Sequence, residues 1–286
     1  MRKSYHNPAV LITCPFFSDT METVKICKAV KHMLEDTGER IIPKEMKPEN
    51  GLLLEHLARY TFALPYVKGR VLDIAAGTGY GSQITAKKKK KEITEVLGVD
   101  VDPETIRYAK KHYYHPLLSF QAADALDPDI KKELGTFDTI LSFETIEHVP
   151  DDQVFLKNIL SLLRPGGTLV LSTPFGQGRG NPSSSPFHYH QITEEEFRDL
   201  FLDYPATSFY YQRGVTIEPK REGLHYPLGI AVCKKGKEHE SSIHSVSVKN
   251  SAEGPVYLVH DTDHGEQRVS RELFYQILQK WEASVE

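Results

Sequence analysis

The sequence has few cysteines and no long apolar run. Three of its 286 residues are cysteine, and Cys14, Cys27 and Cys233 are widely scattered. An odd, unpaired set of this kind argues against a disulfide framework or a zinc site and indicates a reducing compartment. No segment reaches the roughly 18 apolar residues that a membrane span requires. We therefore expect a cytoplasmic protein with no membrane span.

The sequence also has no excess of basic residues. Its 35 lysines and arginines against 39 acidic residues give a formal net charge of −4, whereas proteins that bind phosphate backbones usually carry a positive charge. A local exception is the run of lysines at residues 87–91. No aromatic residue interleaves it for base stacking, and cations suit the C-terminal end of a helix. We therefore expect a solvated helix end there, and no nucleic-acid partner.

What the sequence does contain is a glycine-rich stretch at residues 71–82, Val-Leu-Asp-Ile-Ala-Ala-Gly-Thr-Gly-Tyr-Gly-Ser. Its first four residues are typical of the end of a buried parallel strand. Three glycines then let the backbone turn sharply and approach a ligand: Gly77, Gly79 and Gly81. A helix should begin near Tyr80, with its free N–H groups facing the ligand. A side chain at Gly79 should fill the space that the ligand needs.

Two acids make this turn more specific. Asp73 stands at the strand end, four residues before the first glycine. Asp100 closes the next apolar run, about 20 residues after the last glycine, where an acid can hold ribose hydroxyls. This order resembles that of the class I S-adenosylmethionine-dependent methyltransferases. The resemblance implies S-adenosylmethionine as the cofactor and the following residues as its site: Asp73, Ala75, Gly77, Gly79, Asp100, Val101, Asp124 and Ala125.

Further motifs extend the resemblance from about Thr37 to Lys235. Residues 122–125 are similar to the family's third motif, in which the acid, here Asp124, accepts from the adenine amino group; a simple turn former is the alternative. Residues 164–167, Arg-Pro-Gly-Gly, resemble the family's turn into the fifth strand. The resemblance implies an α/β fold: a Rossmann-like, seven-stranded, mostly parallel sheet with an antiparallel edge hairpin and helices on both faces.

An amphipathic helix is expected before the sheet. Apolar residues recur at helical spacing over residues 50–64, and a proline stands shortly before and just after them. In the resembled family such a helix lies over the cofactor, so Tyr60 is a candidate pocket residue. Plain packing against the core is the alternative interpretation.

Charged residues follow the fourth predicted strand, Phe137–Phe143, in the order Glu144-Thr-Ile-Glu-His-Val. Substrate and cofactor usually meet at this carboxyl edge of a parallel sheet. The Asn/Asp-Pro-Pro-Tyr tetrad of methyltransferases that act on exocyclic amino groups is absent, which favours an oxygen or carbon acceptor. The motif is similar to that of ubiquinone-biosynthesis and polysaccharide-pathway O-methyltransferases. It implies methyl transfer to an oxygen of a small molecule or glycan.

A hydroxyl acceptor needs a general base or a metal ion. The candidate catalytic residues are Glu147, His148 and His190, the last from a long loop that also holds His188. Together with Glu144 they offer a ligand set for Mg²⁺, Mn²⁺ or Zn²⁺, but we favour the base. Metal-dependent RNA 3′-terminal 2′-O-methyltransferases have a similar acid-acid-histidine set. Such an RNA enzyme and a non-catalytic S-adenosylmethionine-binding regulator remain the alternatives.

Composition and resemblance divide the chain into three sections. Residues 1–36 are an N-terminal extension, residues 37–236 the methyltransferase domain, and residues 237–286 a C-terminal appendage. Residues 236–254 are polar and predict a linker, and residues 256–259 predict a short strand. A final helix carries an apolar stripe: Leu273, Phe274, Ile277, Leu278 and Trp281. The appendage is too short to fold alone, so we expect it to dock on the main domain or on a second copy of the chain in a homodimer.

Overall fold

Helices and strands alternate along the chain in the order expected of an α/β fold. The computed structural model describes residues 40–183, 185–204, 206–236, 243–251, 254–261 and 265–285. The N-terminal extension predicted over residues 1–36 lies outside the described residues. The helices are α1 (Gly51–Ala63), α2 (Tyr80–Lys88), α3 (Pro103–His112), α4 (Ile130–Leu134), α5 (Asp152–Ser161), α6 (Glu194–Asp199) and α7 (Arg271–Val285).

Eight strands form the main sheet. They are β1 (Gly69–Ile74), β2 (Ile93–Asp100), β3 (Leu118–Ala122), β4 (Phe137–Phe143), β5 (Leu163–Pro174), β6 (Thr207–Arg213), β7 (Thr216–Glu218) and β8 (Leu228–Lys234). Their spatial order is β3-β2-β1-β4-β5-β8-β6-β7. Strands β1 to β5 are parallel, and β8 runs antiparallel to both β5 and β6. The strand order reverses between β1 and β4, and ligands of open α/β sheets bind at the carboxyl ends beside such a reversal.

The eighth strand corrects the seven that the resemblance implied. Gly214 adopts a left-handed backbone with φ +56° and turns the chain back after β6, so the edge holds one strand more than the implied hairpin. The short β7 then pairs antiparallel with β6 at the sheet edge. The other seven strands form the mostly parallel sheet with an antiparallel edge that the resemblance implied. The Rossmann-like fold is therefore confirmed.

Helices cover both faces because the strands point successive apolar side chains to opposite sides. On one face, Val71 belongs to a cluster with Tyr60 of α1 and Ala86 of α2. On the other face, its neighbour Leu72 belongs to a cluster with residues of α4 and α5, among them Phe155. The sheet is therefore packed on both sides, and its carboxyl edge is left to the loops.

Polar side chains cap several helices. Each accepts a hydrogen bond from a backbone N–H of the first turn, which has no partner inside the helix. The capping residues are Asp102 before α3, Asp151 before α5 and Thr193 before α6, where Thr193 and Glu196 form a capping box. Asn50 does the same for α1. These caps fix where the helices begin.

The C-terminal section is a small antiparallel sheet with α7 against it. Its strands are β9 (Ile243–Ser251), β10 (Gly254–Asp261) and β11 (Gly265–Val269), in the order β11-β10-β9. The linker predicted over residues 236–254 is wrong, because β9 lies within it. Val246 and Val248 alternate with polar residues there, and the polar composition obscured this period-2 pattern.

The small sheet has its own apolar cluster. Val259, Val269 and Phe274 are buried in it, and Leu273, Ile277 and Leu278 pack against them, while the side chain of Trp281 lies outside the described residues. Asp203, which follows α6, accepts from both the backbone N–H and the hydroxyl of Ser270 at 2.8 Å. This pair ties the start of α7 to the main fold. In the described ranges, no helix combines the length and apolar character needed to cross a bilayer.

Candidate active site at the carboxyl edge of the sheet

The glycine-rich turn leaves β1 in a left-handed backbone. Ala75, Gly77 and Gly79 have φ values of 55°, 55° and 88°, so the chain turns sharply before α2 begins at Tyr80. A Cβ added to Gly77 would meet nothing within 4 Å among the described residues, whereas one added to Gly79 would lie 2.6 Å from the ring of Phe120. The open space that a ligand can use therefore lies over Gly77. The expectation that a side chain at Gly79 would fill this space is wrong, since it would enter the packing under the turn.

Asp100 lies at the end of β2, directly beside this turn. Its Oδ2 accepts from the backbone N–H of Gly77 at 3.0 Å, and its Oδ1 accepts from that of Asp102 at 3.0 Å. Burial raises the pKa of this carboxyl, and the two backbone donors oppose that shift. A half-buried carboxylate fixed in this way can also accept hydrogen bonds from the hydroxyls of a ligand, because each oxygen has a second lone pair.

Asp73 is buried behind the turn and links three elements. Its carboxylate accepts from the Ser82 hydroxyl at 2.6 Å and from the Tyr60 hydroxyl at 3.1 Å. Burial raises the pKa of Asp73 to about 7, although both hydroxyl donors lower it. The acid thus joins β1 to α1 and α2. Tyr60, a candidate pocket residue from the sequence, lies with its ring in the core and its hydroxyl on Asp73.

The remaining predicted cofactor residues line the same edge. Val101 is 66% exposed beside Asp100, so an apolar surface adjoins the acid. Asp124 is exposed and its Oδ1 accepts from the backbone N–H of Leu126 at 2.9 Å, which is the local turn bond expected under the alternative interpretation. Ala125 is half-buried, and its carbonyl oxygen accepts from the amide of Asn158. Their contact with a cofactor remains a prediction.

A segment before α1 also holds the turn, and the sequence reasoning missed it. The Thr78 hydroxyl donates to the carbonyl oxygen of Ile41 at 2.8 Å, and Arg40 lies 3.6 Å from Asp102. Ile41 and Ile42 are buried. The resemblance starts near Thr37, just before this segment, and the paired isoleucines at residues 41 and 42 were the available signal for a buried contact.

Two glutamates follow the end of β4, and each accepts a hydrogen bond from a hydroxyl of β5. Glu144 has φ 52°, an uncommon backbone for a residue with a side chain, and its Oε1 accepts from the Ser172 hydroxyl at 3.2 Å. Glu147 is 1% exposed, and its Oε2 accepts from the Thr173 hydroxyl at 3.0 Å. Burial raises the pKa of both, and the charge of Glu144 raises that of Glu147 further. The pair therefore holds protons more tightly than free carboxylates do.

His148 and the loop after β5 complete this corner. The Nδ1 of His148 lies 3.1 Å from the carbonyl oxygen of Phe187, and the rings of His148 and His188 stand edge to face at 4.7 Å. Since a carbonyl oxygen can only accept, Nδ1 carries the hydrogen, and the lone pair of the neutral ring is on Nε2. That nitrogen is 3.9 Å from Oε1 of Glu147. The arrangement can remove a proton from a nearby hydroxyl.

The same corner also has the ligand types of a cation site. Ligand atoms of Glu147, His148 and His188 all lie within 4.8 Å of one another. His190 is not in this group; its Nε2 lies 3.8 Å from Oδ2 of Asp152. The predicted ligand set of Glu144, Glu147, His148 and His190 is therefore corrected: among the described residues, the group includes His188 but neither Glu144 nor His190. The loop fixes this choice, because the backbone N–H at residue 189 donates to the carbonyl oxygen of Glu147.

Known proteins that resemble this chain share one description. A family profile described as a methyltransferase domain matches residues 67–206. A probable S-adenosylmethionine-dependent methyltransferase of Mycolicibacterium smegmatis is 29% identical over 177 residues, 60% of this chain and 65% of that protein. A ubiquinone biosynthesis O-methyltransferase of Xanthomonas campestris is 33% identical over 131 residues, 46% of this chain and 52% of that protein. The chain therefore spans between about half and two thirds of the length of these relatives.

A solved structure supports the fold. A chain of the complex that contains the Haloferax volcanii Trm112 methyltransferase activator matches 66% of this chain and 93% of its own length, with a TM-score of 0.51 and 19% identity. At this identity the likeness concerns the fold alone. Profile, relatives and sheet order agree: residues 67–206 match a methyltransferase domain, and the chain is similar there to S-adenosylmethionine-dependent methyltransferases.

Proposed function

We propose that the protein transfers a methyl group from S-adenosylmethionine to an oxygen atom of a small molecule or a glycan. The observation that carries this proposal is the position of His148 at the end of β4, with Nδ1 on the carbonyl oxygen of Phe187 and Nε2 toward Glu147. An oxygen acceptor requires removal of a hydroxyl proton, and this imidazole is oriented for that task.

The described residues fit the cofactor of the family. The open space over Gly77 lets a ligand approach the backbone, and Asp100 beside it can accept from ribose hydroxyls. The exposed side chain of Val101 supplies an apolar surface next to that acid. S-adenosylmethionine supplies a methyl group on a positively charged sulfur, a good leaving group, when it is bound.

The chain then has to activate and orient the acceptor. In the proposed step, the acceptor hydroxyl gives its proton to Nε2 of His148, and its oxygen forms a bond to the methyl carbon. The electron pair of the broken carbon–sulfur bond stays on sulfur. Glu147 lies beside the ring, with its Oε1 3.9 Å from Nε2. Much of the rate enhancement would come from holding the two reactants in line.

A divalent cation is the second way in which this corner could activate a hydroxyl. The carboxylate of Glu147 and the two imidazoles of His148 and His188 lie close enough to share one ion, and such sets suit Zn²⁺ and Mn²⁺ among others. A bound cation would lower the pKa of an acceptor hydroxyl. The RNA 2′-O-methyltransferase alternative rests on this group, and the run of lysines at residues 87–91 adds charge but no stacking residues.

Chelation distinguishes base from metal. Purified protein is stripped with a chelator and assayed for methyl transfer with and without added Mg²⁺, Mn²⁺ or Zn²⁺. We expect full activity after stripping and a strong loss in His148→Ala. His225→Ala, an exposed histidine in the loop before β8, serves as the matched control and should keep wild-type activity. If stripping abolishes methyl transfer and one added cation restores it, this corner is a metal site.

The acceptor is identified by following the methyl group. Labelled S-adenosylmethionine is supplied to a lysate with wild-type protein or with His148→Ala. We expect label in a metabolite or glycan fraction, stable to the mild base that hydrolyses carboxyl methyl esters, and we expect none with the variant. Label in the RNA fraction would favour the RNA enzyme, and binding of the cofactor without any transfer would favour a regulator.

The setting of the reaction is part of the proposal. The scattered cysteines fit a reducing, cytoplasmic environment.

Val248 and Tyr275 of the C-terminal section are 48% and 47% exposed, and exposed apolar residues of this kind fit a contact between two copies of the chain. Sedimentation equilibrium tests the homodimer: Val248→Ser with Tyr275→Ser should shift a dimer to a monomer, and a monomeric wild type would refute the contact.

A further inference from the structure

Arg59 of α1 is a buried cation. One edge of its guanidinium donates a hydrogen bond, and the other edge donates none to the residues that the structure describes. The residue is 1% exposed. Its Nη1 donates to Oε1 of Gln212 on β6 at 2.8 Å. Nε and Nη2 are closed off from solvent and have no hydrogen-bond partner among the residues that the structure describes. A buried guanidinium is costly unless its donors are paired.

The two unused nitrogens form the side of the guanidinium that recognises carboxylates. Nε and Nη2 carry parallel N–H bonds on the edge away from Nη1. That spacing matches the two oxygens of a carboxylate, so both bonds can form at once. The bond from Nη1 to Gln212 holds the plane of the group in place. The side chain is therefore already oriented to receive a planar anion.

The neighbours of Arg59 place it at the candidate active site. Tyr60, the next residue, packs edge to face on Tyr80 and on Phe143, at ring distances of 5.6 and 4.9 Å. His56, one turn before, has its Nδ1 3.1 Å from the Tyr80 hydroxyl. Tyr80 begins the helix after the glycine-rich turn, and Phe143 ends β4. Arg59 thus lies between the turn that faces the cofactor and the corner that holds the candidate base.

The charge of Arg59 acts on this corner although no carboxylate of the described residues pairs with it directly. It lowers the pKa of both Glu144 and Glu147, against the larger effect of their burial. These carboxylates instead accept from the hydroxyls of Ser172 and Thr173. Burial, and then the charge of Arg59, lowers the pKa of His56 to about 3, so that imidazole is neutral and adds no second cation.

We infer that Arg59 is an anion-binding residue of the site and that its Nε and Nη2 bind a carboxylate of a ligand. This inference deepens the proposed function and rests on it. Two ligands of a methyltransferase can supply that chemistry: the amino-acid part of the cofactor, or an acceptor that is itself an acid. In the second case, a neutral acceptor would leave the guanidinium unpaired.

Calorimetric titration separates the two sources of the carboxylate. The first arm compares S-adenosylhomocysteine with its decarboxylated analogue. If Arg59 holds the cofactor, wild type should bind S-adenosylhomocysteine at least tenfold more tightly than the analogue. Arg59→Gln should reduce that ratio to within about twofold, as expected when a bidentate charged pair is lost. Its affinity for the analogue should hardly change.

The second arm uses protein saturated with S-adenosylhomocysteine and two acidic probes, D-glucuronate and 4-hydroxybenzoate, against glucose and phenol. If Arg59 holds the acceptor, at least one acid should bind tighter than its neutral counterpart to wild type. Arg59→Gln should abolish that preference and leave S-adenosylhomocysteine affinity unchanged. Arg59→Lys should restore only part of it, because an ammonium lacks the parallel pair of donors.

The outcomes are distinct. The inference is supported if, in either arm, wild type binds the ligand with a carboxylate more tightly and Arg59→Gln removes that preference. The inference is wrong if wild type shows no such dependence in both arms, or if Arg59→Gln leaves it intact. The wild-type comparisons do not depend on whether the variant folds, and circular dichroism checks the variants. Wild type that fails to bind S-adenosylhomocysteine at all would refute the proposed function instead.

Discussion

At the scale of the residue, Asp100 is fixed by the backbone before any ligand arrives. Its two oxygens accept from the N–H groups of Gly77 and Asp102. If it also accepts from the ribose hydroxyls, Asp100→Ala should weaken S-adenosylhomocysteine binding by about 1.5 to 3 kcal/mol, the usual value of a hydrogen bond to a charged group. Calorimetric titration measures this change.

The control for this prediction is an acid with no role near the turn. Asp129 is exposed and pairs with Lys132 on the surface, so Asp129→Ala should bind like wild type, as surface ion pairs contribute little. Wild-type affinity in Asp100→Ala would remove this acid from the cofactor site. An equal loss in both variants would point to a general loss of stability.

Asp73 predicts a pH dependence of stability. Its pKa is raised by burial from the ordinary 3.8 to about 7. Between these pH values the folded protein holds a proton that the unfolded chain has released, so the free energy of unfolding falls as pH rises through this window. Asp73→Asn cannot titrate. Urea unfolding without ligand should therefore show the wild type losing stability relative to Asp73→Asn from about pH 4 to about pH 7.

The difference between the two proteins isolates Asp73 from other buried acids. Glu144 and Glu147 also have raised pKa values, but they titrate in both proteins and cancel in the comparison. If the two pH profiles run parallel, the pKa of Asp73 is close to its ordinary value. If the wild type gains stability instead, the Tyr60 and Ser82 hydroxyls hold the charged form more strongly than burial opposes it.

At the scale of the element, α1 packs directly on α2 because Gly81 has no side chain. A Cβ at this position would lie 1.8 Å from the ring of Tyr60. Gly81→Ala should therefore force Tyr60 away from Asp73 and destabilise the fold by about 1 to 3 kcal/mol, as overpacking usually does. S-adenosylhomocysteine affinity should fall with it. Thermal unfolding and calorimetric titration measure the two effects.

Gly51 provides the matched control at the start of α1. A Cβ there would meet nothing within 4 Å among the described residues, so Gly51→Ala should be neutral or slightly stabilising. The double variant Gly81→Ala with Tyr60→Leu should recover part of the lost stability, because the smaller side chain leaves room. A stable Gly81→Ala that binds normally would show that α1 can move without consequence.

The sequence predicted the elements around the turn well, for a local reason. Glycines with a left-handed backbone and acids at strand ends are set by residues close in the chain, so Gly77 and Asp100 could be placed. The choice between His188 and His190 could not be made. It depends on the backbone bond between residue 189 and Glu147, 42 positions apart in the sequence, which local pattern does not encode.

At the scale of the whole molecule, the same distinction holds. The mostly parallel sheet followed from the family resemblance, while Arg59 was missed because a polar residue in an amphipathic helix is usually solvated. It is buried because α1 meets β6 through Gln212. β9 was missed because a polar edge strand has a weak periodic signal. Contacts between distant elements decided both cases.

The C-terminal section should unfold before the main sheet, because its apolar cluster is small. Val259, Val269 and Phe274 form its buried part, and such local units open at a lower free energy than a large core. Phe274→Ala should remove about 3 to 5 kcal/mol of local stability. Trp281 is the only tryptophan in the chain, so its fluorescence reports on this section. In mild urea the variant should show a red-shifted emission while it still binds S-adenosylhomocysteine.

The partly exposed Leu278 supplies the control, since Leu278→Ala should shift the emission at a higher urea concentration than Phe274→Ala. A single transition in which emission and binding are lost together would show that the small sheet and the methyltransferase domain unfold as one cooperative unit.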